Sequence, residues 1–443
     1  MGRSRSHPGT AVATLLLLCQ LHHPLPMLAQ RGEKPRPAWK NKELQYADQV
    51  YEANIRTVQL YRQDDELSFP YLVLGQGSYL NLEFDMLQAQ PEQLFYTIEH
   101  CDANWQRSML IPIEYYSSFL GNPMNDYRSS QNTRTPYIHY QLTIPKEGTA
   151  FKVSGNYLLK VYRNGNERDL LLTRRFVVAE EGIRIVPDLV TLPSRGATRG
   201  YQTVNFSLYP TRVPMRDPSR ELQFQLVQNG RWQGAATPIE PAYQYPDHLE
   251  YRFDRKLEYS GGNEFRWFDL RDVSRATNRV ASISYTDSCD QVQLLEDKAR
   301  PQLTYFTEPD FDGAYYIGTR QYPMADVEAD YLCTTFSLRL PDSFPAGELY
   351  IRGAFSLWQL DPTYRLFRLD DMALLTTKLK QGIYNYEYVL LPPEGSPQTE
   401  LLEGSFSETG NTYHILVYYR QPTDRYDRLI GLEAVSTSPA VRR

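Results

Sequence analysis

Apolar and polar residues alternate along most of this chain with a period of two, the repeat of a strand whose successive side chains point to opposite faces. In SYLNLEFD, Leu80, Leu82 and Phe84 face one way while Asn81, Glu83 and Asp85 face the other. ELQFQL sets Leu222, Phe224 and Leu226 against Gln223 and Gln225, and the same alternation links Leu332, Phe336, Leu338 and Leu340, then Tyr384, Tyr386, Tyr388 and Leu390. Such stretches predict half-buried strands of antiparallel sheets. A sustained helical period is nearly absent; short helical turns are predicted only between Glu43 and Tyr51 and between Glu114 and Leu120.

Punctuation divides the strands. An acidic pair and Gly182 follow TRRFVVAEEG, and a second, softer transition falls near Arg300 and Pro301. With a leader over 1–29, these breaks predict three tandem β-sandwich domains over 30–180, 181–300 and 301–443, the last immunoglobulin-like, in an all-β chain of 443 residues. Pro392 and Pro393 open a surface excursion that runs to Glu400. The 34 tyrosines suit such strands, because each ring fills a pleat and keeps a wet hydroxyl end.

The leader reads as a secretory signal peptide. Arg3 and Arg5 precede the apolar run AVATLLLLC, too short for the roughly 20 residues of a membrane-spanning helix. Cleavage is expected after Ala29, leaving Gln30 as the first mature residue. Leu18 occupies the site where a lipoprotein would carry a small residue before Cys19. No later segment has the length or apolarity of a membrane helix, so the mature chain is expected to be water-soluble, with no direct membrane span.

The formal net charge is −6, and loss of the leader removes two arginines and no acid. A chain of that sign is a poor nucleic-acid binder, and pairs such as Arg174 with Arg175 read as solvated faces. Cys101, Cys289 and Cys333 remain, an odd number without framework spacing, and are expected as reduced, packed thiols, although Cys289 and Cys333 could bridge neighbouring domains.

Catalytic patterns are weak. His100, Cys101 and Asp102 are adjacent, but neighbours on a strand point to opposite faces, so His100 cannot serve Cys101 as base if the strand continues through them; a second histidine such as His139 could approach it in space. His100, His139, His248 and His414 are scattered without ligand spacing, and Asp310, Asp312 and Gly313 open like a calcium loop that lacks its remaining ligands and so predict a turn. Gly75, Gln76, Gly77 and Ser78 have the wrong order for a serine elbow. Asp64 with Asp65 and Asp370 with Asp371 are adjacent pairs expected to be solvated. No catalytic residue, metal or cofactor is assigned.

One stretch stands apart. YSGGNEFRWFDLR, Tyr259 to Arg271, sets Gly261 and Gly262 at a tight connection before the rings of Phe265, Trp267 and Phe268 and the charges of Glu264, Arg266 and Asp269, and predicts a hairpin with cations lying over rings. With NIRTVQLYR from Asn54, YTIEHCDANW from Tyr96, DYRSSQNTRTPYIHYQLTIP from Asp126, SGNYLLKVY from Ser154, TRRFVV from Thr173, QNGRW from Gln228, LKQGIYNYEYVLL from Leu379 and RYDRLIG from Arg425, it resembles the type IX secretion system plug protein family, formerly a domain of unknown function family. The resemblance implies a non-enzymatic periplasmic subunit that binds the periplasmic opening of the outer-membrane translocon β-barrel, peripheral to the inner face of the outer membrane, and occludes it. It does not name the contact residues. In the last domain, Gly353, Phe355 and Trp358 followed by GIYNYEY are similar to starch- and glycogen-binding modules, which implies Trp358 as an alternative sugar-stacking residue. A secreted cargo of the same pathway is a further alternative, without an evident C-terminal sorting domain between Arg425 and Arg443.

Overall fold

Strands alternate as their sequences predict, but most of their polar faces are covered as well. The computed structural model describes residues 42–117, 121–192, 200–276, 278–301 and 304–437. These form an all-β, sandwich-like architecture of mostly antiparallel sheets. The first sheet holds Ile55–Arg62, Leu80–Met86, Ile138–Ile144 and Tyr127–Ser129. The second is built around Leu170–Ala179, Gly155–Arg163 and Leu94–Cys101. Leu80, Leu82 and Phe84 meet Tyr157, Leu159 and Val161 between these two sheets. Each fully buried side chain of this size contributes roughly 1.5–3 kcal/mol to folding.

The second sheet's other face is apolar too. Leu158, Val177 and Cys101 pack on Val227, Leu416 and Tyr418 of a third sheet, made of Leu222–Gln228, Thr412–Tyr419 and Arg428–Ser436. That sheet turns Phe224, Ile415 and Val417 toward Val204 and Phe206 of a fourth, made of Ile183–Leu192, Tyr201–Pro210, Leu249–Tyr251 and Tyr243–Gln244. The described residues between 42 and 260, with the last two strands, therefore make four stacked layers sharing three cores. Strand pairing departs from the expected boundaries. Leu222–Gln228 pairs with Thr412–Tyr419, so the expected second and last domains share one sheet. Gln291–Leu294 pairs in parallel with Tyr331–Arg339, across the expected break at 300.

Between those halves the chain builds a ten-stranded sheet system from Arg266–Asp269 through Gly382–Leu391, with its own core of Phe268, Phe336, Tyr384 and Tyr386. It lies on the outward face of the first sheet, the one predicted to be solvated. Asp85, fully buried, accepts from Lys380 Nζ and Tyr331 OH at 2.7 Å each and lies 2.8 Å from His139 Nδ1. Burial would raise this carboxyl, but Lys380 and His139 outweigh it and hold it below its ordinary range. His139 is thus committed to Asp85 and takes no part with Cys101.

Local expectations fare unevenly. Between Glu43 and Tyr51 the chain forms bends and the short strand Gln49–Val50 instead of a helical turn, held by pairing with Leu170–Ala179. The second helical turn is Pro112–Tyr115, opened by the proline, and residues 118–120 lie outside the described ones. Arg174 and Arg175 are not solvated: Arg174 sits 3.6 Å from Asp48, and Arg175 donates to the Tyr46 carbonyl and lies over Trp105. Cys289 and Cys333 form a disulfide, Cα to Cα 5.9 Å, against the expectation of reduced thiols. Parallel pairing of strands some forty residues apart brings them together within one sheet, so the bond does not bridge domains.

Candidate functional site

The fingerprint from Tyr259 to Arg271 is a crossover rather than a hairpin. Glu258–Ser260 pairs with Tyr201–Pro210 in the fourth layer, whereas Arg266–Asp269 pairs with Gly382–Leu391. Gly261 is required by close approach, since a Cβ there would stand 1.9 Å from the Phe406 carbonyl oxygen. Gly262 takes a positive φ of 65°. Arg266 is buried, donates to both oxygens of Glu403 at 3.0 Å and to Asp297 at 2.9 Å, and lies 5.2 Å over the Tyr388 ring. Arg300 reaches Glu403 at 2.7 Å, and the Tyr386 and Tyr388 hydroxyls donate to Asp297. Burial would raise Glu403, but Arg266 and Arg300 outweigh it and hold the carboxyl at about 2.

Where the layers, the crossover and the ten-stranded system meet, two clefts of about 730 and 620 Å³ open on either side of Trp358. The Pro392–Glu400 excursion supplies Ser396 to Glu400 to the larger one. Trp358 follows the 3-10 turn Ala354–Ser356 rather than sitting in a strand. Its ring edge lies against Gly313, where a Cβ would come within 2.2 Å, and Phe265 meets it edge-on at 5.7 Å. The Arg231 guanidinium lies 5.5 Å from the ring centroid and shares Glu387 with Arg352. Burial, reinforced by Arg352, lowers Arg231 to about 10. A sugar stacking on Trp358 meets a ring that already has these neighbours.

Beside Gly313 lie two half-buried carboxyls. Asp310 accepts from the Phe265 and Asp312 amides at 2.5 and 2.8 Å, and Asp312 accepts from the Thr412 hydroxyl at 2.6 Å. Burial, with the Asp312 and Glu264 carboxyls nearby, raises Asp310 to about 7 against the pull of its two amide donors. Asp312 and Gly313 form a turn before Tyr315–Ile317. Among the described residues no three His, Cys, Asp or Glu side chains are grouped to hold a metal ion.

The other candidates stay apart. Ala29 and Gln30 lie outside the described residues. Cys101 is buried and unpaired in a disulfide, and burial raises its thiol far above the ordinary range. His100 is lowered to about 4 by burial and contacts the Ser154 carbonyl at 3.1 Å. Asp64, Asp65, Asp370 and Asp371 are exposed. Exposed apolar side chains, which period alone could not locate, include Met109 and Ile111 on the connection into the helical turn that carries Ile113, and Phe367 opposite Leu374 on adjacent strands. No helix among the described residues is long and apolar enough to cross a membrane.

Residues 55–180 match the model of the type 9 secretion system plug protein first domain. The crystal structure of a hypothetical protein from Parabacteroides merdae ATCC 43184 is similar at 30% identity and a TM-score of 0.84, covering 89% of this chain and 100% of that one. A Corynebacterium diphtheriae protein described as membrane anchored aligns at 8% identity with a TM-score of 0.12, over 86% of this chain and 96% of that one, and supports no argument. No curated protein matches the sequence.

Proposed function

Because the chain belongs to the type 9 secretion system plug protein family, we propose that it docks on the periplasmic opening of that system's outer-membrane translocon barrel and occludes it. Membership carries a periplasmic, outer-membrane-associated location and a non-enzymatic accessory or structural role near the translocon. The match over 55–180 is the observation that carries the finer reading. Physical chemistry supports it. A seal needs a body that resists deformation, and four layers with three shared cores, tied to a further sheet system through buried Asp85 and Lys380, are such a body. Occlusion of this kind uses no fuel or cofactor, and incoming cargo displaces the plug by competing for its docking surface.

In this reading the protein is exported by a presequence cleaved between Ala29 and Gln30, and its two-sheet units are immunoglobulin-like sandwiches. Recovery of the tagged protein from gently solubilised envelopes, with mass spectrometry of its companions, tests the reading. A very large outer-membrane barrel in near-equal amount is expected. Its absence from envelopes that contain the barrel overturns a stable plug. Glucan binding lost in Trp358→Ala, or appearance of the protein outside the cell, would replace occlusion with the sugar-binding or cargo alternative.

A further inference from the structure

A ladder of stacked planar groups crosses the outward face of the fourth layer. Arg184 and Tyr209 are direct cross-strand partners, with the guanidinium carbon 4.0 Å from the ring centroid. Tyr209 stacks on His248 at 4.9 Å and 16°, and His248 stacks on Tyr245 at 4.4 Å and 11°. The Tyr245 amide donates to the His248 carbonyl at 2.9 Å and fixes the connection that carries both rings. His248 is held from the side as well, with Nδ1 2.8 Å from Asp247 and Nε2 3.6 Å from Glu250. The stack is therefore ordered before any partner arrives, which lowers the entropy lost on binding.

Its two ends differ. Arg184 caps one. At the other, Tyr245 is 46% exposed, and the neighbouring Tyr243 ring, tilted by 39° at 6.4 Å, does not continue the stack. Charge at this end is acidic. Arg252 is spent between Asp188 at 2.6 Å and Glu250 at 3.0 Å, and Arg184 lies at the opposite end over Tyr209, whereas the Asp247 side chain is 76% exposed two residues from Tyr245. An open tyrosine face beside an exposed carboxylate selects for a group that is both planar and cationic. A guanidinium can lie on the ring and pair with the carboxylate; an ammonium lacks the plane, and a neutral sugar lacks the charge.

We propose that the Tyr245 end of this ladder docks an arginine-presenting segment of a protein partner. The inference deepens the plug reading, on which it rests where the partner is taken to be the translocon barrel. A photoreactive residue in place of Tyr243, Tyr243→p-benzoylphenylalanine, lies beside the open ring without belonging to the stack. Irradiation of intact envelopes holding the full chain is expected to yield an adduct with another protein, on a peptide that carries an arginine within a few residues of the crosslink. Tyr245→Ala and Asp247→Asn are each expected to lower the adduct about tenfold, while Tyr245→Phe keeps it within about twofold. An adduct undiminished by Tyr245→Ala, a peptide without arginine, a glycan or lipid adduct, or no adduct overturns the docking. Failure here with the barrel still co-purifying leaves the plug reading standing. An arginine-dependent adduct on a different protein keeps the docking and assigns this end to that protein instead of the barrel; only loss of barrel co-purification removes the plug reading.

Discussion

Phe265 and Arg266 are consecutive, yet they serve two carboxyl sites whose charge responds to burial in opposite ways. The Phe265 amide donates to Asp310, whose carboxyl is pushed up to about 7. The Arg266 side chain binds Glu403, whose carboxyl is held at about 2. Burial raises both carboxyls, Glu403 fully enclosed and Asp310 half-buried, so burial alone does not decide the outcome. Glu403 has Arg266 and Arg300 within 3.0 Å, whereas Asp310 has two amides and the carboxyls of Asp312 and Glu264 around it. Amide dipoles hold a carboxylate less strongly than two guanidiniums do, and neighbouring carboxyls subtract from what they give. One site is structural, with its charges fixed at any ordinary pH; the other titrates near neutrality.

The largest effect is expected from breaking the paired site. Arg266→Met leaves Glu403 and Asp297 short of a buried counter-cation and is expected to cost about 3–5 kcal/mol in urea unfolding. Replacing Arg266, Glu403 and Asp297 together by apolar residues of similar volume should recover much of that loss, because the desolvation cost disappears with the charges. A loss below about 1 kcal/mol for Arg266→Met would mean that the cluster is solvated in solution, and the contrast with Asp310 would fail.

A third kind of group extends the comparison, a half-buried histidine with no charged partner among the described residues. His414 stacks on Phe69 at 4.3 Å, and burial lowers it to about 4. The unfolded chain takes up this proton near pH 6.5 and the folded chain only near 4, so stability is lost as pH falls through that window. The loss through this residue is at most about 3 kcal/mol, and His414→Phe should remove it. His100, also lowered to about 4 by burial, acts in the same window and remains in the variant. Unfolding at pH 4.5 and 7 in both proteins measures the difference; equal acid slopes would show that His414 is hydrated in the folded state.

Which of these sites can be read in the sequence follows from how far apart their partners lie. The period-two runs around Leu80, Phe224 and Tyr384 announce strands because each pattern is local. The YSGGNEFRWFDLR stretch announces itself by composition, and its arginine is indeed central, but Glu403 lies 137 residues away, so no spacing revealed the pair. Asp85 alternates like a solvent-facing residue, and only the later Tyr331 and Lys380 cover it. The disulfide was hidden by parallel pairing, and the shared third sheet by a return of the chain after almost two hundred residues. Trp358 was visible as an aromatic in a strand-like context; its place between two clefts depends on Gly313 and Arg231, which come from other segments. The same holds for the ladder, where Tyr243, Tyr245 and His248 are close in sequence but Tyr209 and Arg184 are not.

The smallest effect sharpens the comparison most, because it has a sign that the paired site cannot produce. Asp310 is raised in the folded chain above the usual value near 4, so the folded state keeps a proton that the unfolded state has already lost. Its contribution to stability is complete below the unfolded pKa and drains away as pH rises toward about 7. Asp310→Asn cannot ionise, but it turns an amide nitrogen toward one of the two backbone donors, a fixed loss at every pH. Relative to wild type, the variant should therefore gain about 2 kcal/mol between pH 5 and pH 8, whatever its absolute stability. Glu403→Gln offers the control: its carboxyl is ionised throughout that range, so its penalty should stay flat. A flat difference for Asp310→Asn as well would mean that a cation from solution or from a partner already neutralises this carboxyl, and the distinction between the two sites would then belong to the isolated chain alone.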